Sequence, residues 1–143
     1  MKKFILLVTS FLIISCSTSE TNISSPNEEE RWNHRAENTE IIRDDFGIPH
    51  IYGKTDADAV FGMLYAQCED DFNRVERNYI WAIGRLAEVE GEKALYSDVR
   101  ANLFMTKEEA ILNYEKSPKW LQELCVAFAD GINFYLKNHP EVT

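Results

Sequence analysis

Glu69, Asp70 and Asp71 are consecutive carboxylates, the side chains that hold a hard cation. Neighbours on a helix point in different directions, and this run lacks the loop geometry of a dedicated calcium site. Pairing with arginines such as Arg74, Arg77 or Arg85 is the expected role of Glu69 and Asp70. His34, His50 and His139 lie far apart in the chain. Only His50 falls in a patterned segment, between Pro49 and Ile51, where a packed and hydrogen-bonded strand residue is expected. Cys68 and Cys125 lack C-x-x-C spacing. Each is expected to serve as a small buried hydrophobe, and a bridge between them stays open in an oxidising compartment. The sequence has no G-x-S-x-G elbow, H-E-x-x-H helix, P-loop or G-x-G-x-x-G turn. No catalytic, cofactor-binding or metal-ligating residue is therefore assigned.

The elements that would position such groups follow from patterning. The 143 residues are 45% hydrophobic and 12% aromatic, enough for one core. Ile41 to Arg43 and Ile48 to Tyr52 are β-prone runs joined by Asp44, Asp45, Phe46 and Gly47, an Asp-rich turn closed by glycine. A hairpin is expected there, with Pro49 at a position that needs no ladder donor. Thr55 with Asp58 forms a capping box for a helix whose apolar face is Val60, Met63, Leu64 and Cys68. A second helical pattern runs through Phe72, Val75, Tyr79, Ala82, Ile83 and Leu86 and ends near Gly91. Thr106 with Glu109 caps a shorter helix, and Ser117 followed by Pro118 supplies a cap and a first-turn proline for the last one. That helix carries Leu121, Leu124, Cys125, Phe128, Ile132, Tyr135 and Leu136. Gly131 within it costs about 1 kcal/mol relative to alanine, which points to close approach by another helix.

The first 39 residues read differently. Lys2 and Lys3 precede an apolar run from Phe4 to Ile14, of signal-peptide length and short of a bilayer span. Ile13, Ile14 and Ser15 lead into Cys16 as in a bacterial lipobox, so residues 1–15 are expected to be removed and Cys16 to carry lipid. Acyl chains there would anchor the protein, each buried methylene contributing about 0.8 kcal/mol. Residues 16–39 are rich in Ser, Thr, Asn and Glu and show no periodicity, and read as a flexible tether. Loss of the leader takes the formal charge from −9 to −11, with 13 basic against 24 acidic residues, which argues against nucleic acid as a partner.

The blocks RDDFGIPHIYGKTDADAVFG at Arg43 to Gly62, YAQCEDD at Tyr65 to Asp71 and GRLAEVEG at Gly84 to Gly91 resemble the start of the α-chain region of the penicillin acylase family. These are N-terminal-nucleophile amidohydrolases that include acyl-homoserine-lactone and lipopeptide acylases. Cys68 stands where relatives carry a small residue, and Asp71 and Asn73 where they tend to have a basic and an apolar one. The resemblance implies that residues 40–143 are the incomplete N-terminal part of an α chain. The fold implied is α+β and mostly helical, a β-hairpin followed by amphipathic helices, as part of an αββα architecture.

The same resemblance implies hydrolysis of a linear amide in a small acylated substrate by the N-terminal serine of a β chain cut from the same precursor. That serine would lie downstream, leaving this segment inactive alone. Calcium is implied for the full-length enzyme, with its ligands outside this segment. The expected location is the bacterial cell envelope, lipid-anchored, in the periplasm or at the outer membrane. The competing reading is a small helical membrane-anchored binding lipoprotein without catalysis.

Overall fold

The computed structural model describes residues 26–142. Helix α1 (Pro26–Glu37) leads into strands β1 (Thr39–Arg43) and β2 (Pro49–Gly53), followed by α2 (Asp56–Ala82), α3 (Leu86–Glu90), α4 (Leu95–Phe104), α5 (Lys107–Lys116) and α6 (Lys119–Asn138). Short 3-10 turns lie at Glu92–Ala94 and Pro140–Val142. The fold is thus mostly helical with one antiparallel hairpin, as the sequence implied.

The hairpin register pairs Ile41 with Ile51 and Arg43 with Pro49. Pro49 opens its strand, where a missing N–H is tolerated. Asp44 Oδ1 accepts from the backbone N–H groups of Phe46 and Ile48, both at 2.9 Å, and Gly47 takes φ +80°, a left-handed value that suits glycine. The inner face packs on α2 at Gly62, where a Cβ would come within 2.4 Å of Thr39 Cγ2 and 2.9 Å of Ile51 Cγ2.

Both capping boxes form as expected, Thr55 with Asp58 on α2 and Thr106 with Glu109 on α5. The two helical patterns after Thr55 merge into one long element broken at Asp71 (φ −162°, ψ 80°). Asp71 Oδ1 accepts from Arg74 N at 3.1 Å, so this carboxylate caps the second half as a new helix start. That second run does not continue unbroken toward Gly91. It stops at Ala82, Gly84 turns at φ +67°, and α3 follows. The start of α6 also differs from expectation: Pro118 is its N-cap, and the Ser117 hydroxyl instead donates to Tyr114 O at 2.6 Å, closing the end of α5.

The core lies between α2 and α6, on Ala57, Phe61 and Ala127, with Ala36, Val60, Leu124 and Phe134 packed around them. Gly131 sits at the closest approach, as its place in the helix implied: a Cβ there would lie 2.5 Å from Phe61 O and 3.0 Å from Leu64 Cβ. This closeness corrects the apolar faces read from the sequence. Only a small residue fits at the closest point, which brings Ala127, Asp130 and Gly131 to the buried side of α6; Tyr135 is buried and Leu124 packs on the core as expected, while Leu121, Cys125 and Phe128 are exposed. On α2 the buried positions include Ala57, Phe61, Leu64 and Cys68, and Met63 is exposed. Phe72 and Tyr135 stack with ring centroids 5.6 Å apart, and Tyr135 stacks in turn on His139 at 4.2 Å.

The tether expected over 16–39 is corrected from Pro26 onward, where the chain is α1. Glutamates in its first turn and His34 and Arg35 in its last suit the helix dipole, and Trp32 is buried. No periodicity was visible because its anchor is polar and distant. Arg31 donates from Nε and Nη2 to the two oxygens of Asp130 at 2.8 and 2.7 Å. Trp32 Nε1 adds a third bond at 2.8 Å and Arg35 Nε a fourth at 3.2 Å. The leader over 1–15, Cys16 and the first part of the tether lie outside the described residues.

Candidate functional site

The segments singled out in the sequence turn out to be joints. Arg43, at the end of β1, reaches α2: Nη2 lies 3.0 Å from Glu69 Oε2 and Nη1 2.8 Å from Asp70 Oδ1. Its hydrogen bond with Glu69 raises the guanidinium above its ordinary range. Glu69 and Asp70 therefore pair with Arg43, correcting the expected partners Arg74, Arg77 and Arg85. Strand and helix geometry brings Arg43 across from 26 residues away, a distance at which charge spacing carries no signal. Arg74 pairs with Asp71, Arg77 with Glu90, and Arg85 with Glu88.

The remaining candidates divide. Cys68 is buried and free, and burial pushes its thiol up to about 11, so it is an unreactive hydrophobe as expected. Cys125 is also free but exposed, a correction that follows from the rotation of α6. His50 is hydrogen-bonded to Asp44 Oδ2 at 3.3 Å, yet its side chain is exposed rather than packed, because it lies on the outer face of the hairpin. Asp44 is held below the usual carboxylate range chiefly by the Ile48 N–H, with the His50 contact adding to it. His34 lies beside Asn38, and His139 Nδ1 donates to Tyr135 O, 2.9 Å away. Among the described residues no histidine is hydrogen-bonded to a serine. Ser97 accepts from Trp81 Nε1 at 2.7 Å and Ser117 closes α5.

A groove of about 730 Å³ opens between the second half of α2 and α6. Leu64, Val75, Tyr79, Ala82, Phe128 and Ile132 make it apolar, and Gln67, Asn78 and the Asp71–Arg74 pair add polar groups. None of its lining residues is a serine, threonine, cysteine or histidine. It can hold an apolar group, and its carboxylates, Asp70 and Asp71, are paired with Arg43 and Arg74. The Glu69, Asp70 and Asp71 carboxylates are engaged by Arg43 and Arg74, and no group of three His, Cys, Asp or Glu side chains converges among the described residues. These residues do not fit a calcium site. No helix among the described residues is long and apolar enough to cross a membrane.

Sequence reasoning missed two buried carboxylates. Asp98 accepts from the backbone N–H groups of Leu86 and Ala87 at 2.9 and 2.7 Å, capping α3 from α4. Asp130 fastens α1. An aspartate inside an apolar helical run, next to a packing glycine, is the one local hint of the second.

Residues 38–143 match the family described as penicillin amidase. The chain belongs to the penicillin amidase family. The curated relatives include acyl-homoserine lactone acylase QuiP of Pseudomonas aeruginosa, 32% identical over 106 residues that make up 74% of this chain and 12% of the relative. Its counterpart in Pseudomonas fluorescens is 31% identical, covering 74% and 13%. Penicillin acylase 2 proenzyme of a Pseudomonas species is 27% identical over 96 residues, 67% of this chain and 12% of that protein. The chain spans about an eighth of the length of these relatives. Among solved structures, the thermostable penicillin G acylase from Alcaligenes faecalis superposes with a TM-score of 0.64 over 72% of this chain and 55% of that one, at 21% identity. That likeness extends the family assignment to the fold, part of a penicillin acylase architecture. The family is one of amide hydrolases.

In a penicillin amidase segment the three sequence blocks thus have a structural reading. The first makes the hairpin turn, β2 and the start of α2, the second carries the Arg43 partners and the Asp71 break, and the third forms α3 and its glycine ends.

Proposed function

We propose that residues 40–143 form the N-terminal part of the α-chain region of an acylase that hydrolyses a linear amide in a small acylated substrate. The observation that carries this reading is the family match over 38–143, in a segment whose described serines, Ser97 and Ser117, both serve structural hydrogen bonds. The nucleophile would be the N-terminal serine of a β chain from the same precursor. Its free amine takes the hydroxyl proton, the oxygen attacks the acyl carbonyl, and the C–N bond breaks as the amine leaves with that proton. Donors from the β chain hold the oxyanion, and water then releases the acid. Calcium in the complete enzyme would take ligands outside these residues.

In this reading the segment contributes a wall and a cover. The apolar groove between α2 and α6 suits that part, since it can bury an apolar group without reacting with it.

The test is turnover of phenylacetyl, glutaryl and long-chain acyl amides. Residues 26–143 alone are expected to show none, and the full-length processed protein to hydrolyse at least one. Turnover by the short segment that survives repurification and disappears on a point substitution within it would overturn the proposal.

We also propose anchoring in the cell envelope through lipid on Cys16, supported by the Ile13, Ile14, Ser15, Cys16 spacing. A fatty-acid probe fed to cells is expected to label the wild type and not Cys16→Ala. Equal labelling of both would dismiss the anchor.

A further inference from the structure

Helix α4 is inside out. Three of its polar side chains bond back to the body: Ser97 accepts from Trp81, Asp98 caps α3 and is buried, and Asn102 Nδ2, though exposed, donates to Gly84 O at 3.4 Å. Its large apolar side chains face outward, with Tyr96 87%, Leu103 81% and Phe104 80% exposed and Val99 half-exposed. Spacing of three and four residues puts Tyr96, Val99 and Leu103 on one stripe.

Helix α5 follows with the same imbalance. None of its residues is buried, and Ile111, Leu112 and Tyr114 are exposed. It nevertheless carries full local specification: a capping box at Thr106 and Glu109, and Gln122 Nε2 donating to Tyr114 O, Glu115 O and Ser117 O at its end. A ten-residue helix is marginal in water without packing. Large apolar side chains left exposed on consecutive helices in this way mark an interaction site.

We infer that the outer face of α4 and α5 is the surface on which the rest of the acylase polypeptide docks. This rests on the reading of the segment as part of a longer acylase. The occupant is an apolar cradle of that polypeptide. The charges of the arm are of mixed sign, Arg100, Lys107, Glu108, Glu109, Glu115 and Lys116, and are interspersed among its apolar residues rather than forming the basic face that suits an anionic lipid surface. The chain also makes up only about an eighth of its relatives' length, so most of the polypeptide available for docking is in cis.

Hydrogen exchange of the α4 and α5 amides, in the 143-residue chain and in the full-length processed protein, tests this. Exchange in α5 is expected to slow at least 100-fold in the full-length protein. Leu103→Glu with Phe104→Glu should remove that protection and reduce recovery of processed protein, while leaving the circular dichroism of the short chain unchanged. Leu103→Met with Phe104→Leu should restore both. If the full-length protein is processed and active but α5 exchanges as fast as in the short chain, or the glutamate pair changes nothing, the inference is overturned. Concentration-dependent protection of the short chain alone would overturn it in favour of a second copy. Protection appearing only with phosphatidylglycerol and phosphatidylethanolamine vesicles would overturn it in favour of a membrane. Absence of processing and of turnover in the full-length wild type would instead sink the acylase reading beneath it.

Discussion

Replacing Asp130 with alanine is expected to release α1 from the α2–α6 pair at a cost of about 3–5 kcal/mol, the range for breaking a buried charge pair by removing one partner. The substitution removes the acceptor on which Arg31, Arg35 and the Trp32 indole N–H all converge, leaving Arg35 its longer pair with Asp58 at 3.5 Å. Native-state hydrogen exchange of the α1 amides in the full-length protein reads the loss, and Asp130→Asn, which keeps an acceptor, should lose less. Unchanged exchange in the alanine variant would show that Trp32 packing alone holds α1. The same lock carries a pH signature. Burial pushes the Asp130 carboxyl up, but the bonds from Arg31 and Trp32 and the guanidinium charge outweigh it and hold the group below its ordinary value. A depressed carboxylate stabilises the fold above its unfolded pKa, and that stability is lost as pH falls through the folded one. Protection of α1 should therefore be flat at neutral pH and fall only below about pH 4.

Gly131→Ala is expected to destabilise the protein against the direction of helix propensity. Propensity alone would favour alanine by about 1 kcal/mol. The new methyl group would lie 2.5 Å from Phe61 O and 3.3 Å from Phe61 C, both backbone atoms, so no side-chain rotation relieves it and the helices must separate. Overpacking of this kind costs about 1–3 kcal/mol, and valine should cost more than alanine. Thermal melts of the full-length protein check the sign. A higher melting temperature for Gly131→Ala would mean that α2 and α6 sit farther apart than described.

What was legible in the sequence was local. Thr55 with Asp58, Thr106 with Glu109, and the Asp-rich turn closed by Gly47 each declare themselves within a few residues, because their hydrogen bonds close within a few residues. Gly131 was legible too, since a glycine inside a strong helix calls for a packing reason. Faces were harder. Large apolar residues such as Phe128 drew the α6 stripe toward themselves, whereas the closest contact needs small groups and leaves Leu121 and Phe128 outside. Arg43 and α1 were illegible for a different reason: their partners are brought by the fold from 26 and 99 residues away, and a glutamate-rich stretch with one tryptophan has no periodic signal of its own. The groove was out of reach as well, because it exists only once α2 breaks at Asp71 and faces α6.

The span between Arg31 and Asp130 also sets an order of events in time. Synthesis delivers α1 first, yet the carboxylate that receives it arrives 99 residues later. At about 5–20 residues per second on the ribosome, the earliest helix waits several seconds or more for its seat, while the hairpin and the first half of α2 can already meet. A short helix without its packing partner is mostly unfolded, so the N-terminal end of the folded body is the part made first and set last. Until α6 emerges, α1 lacks the carboxylate that fastens it.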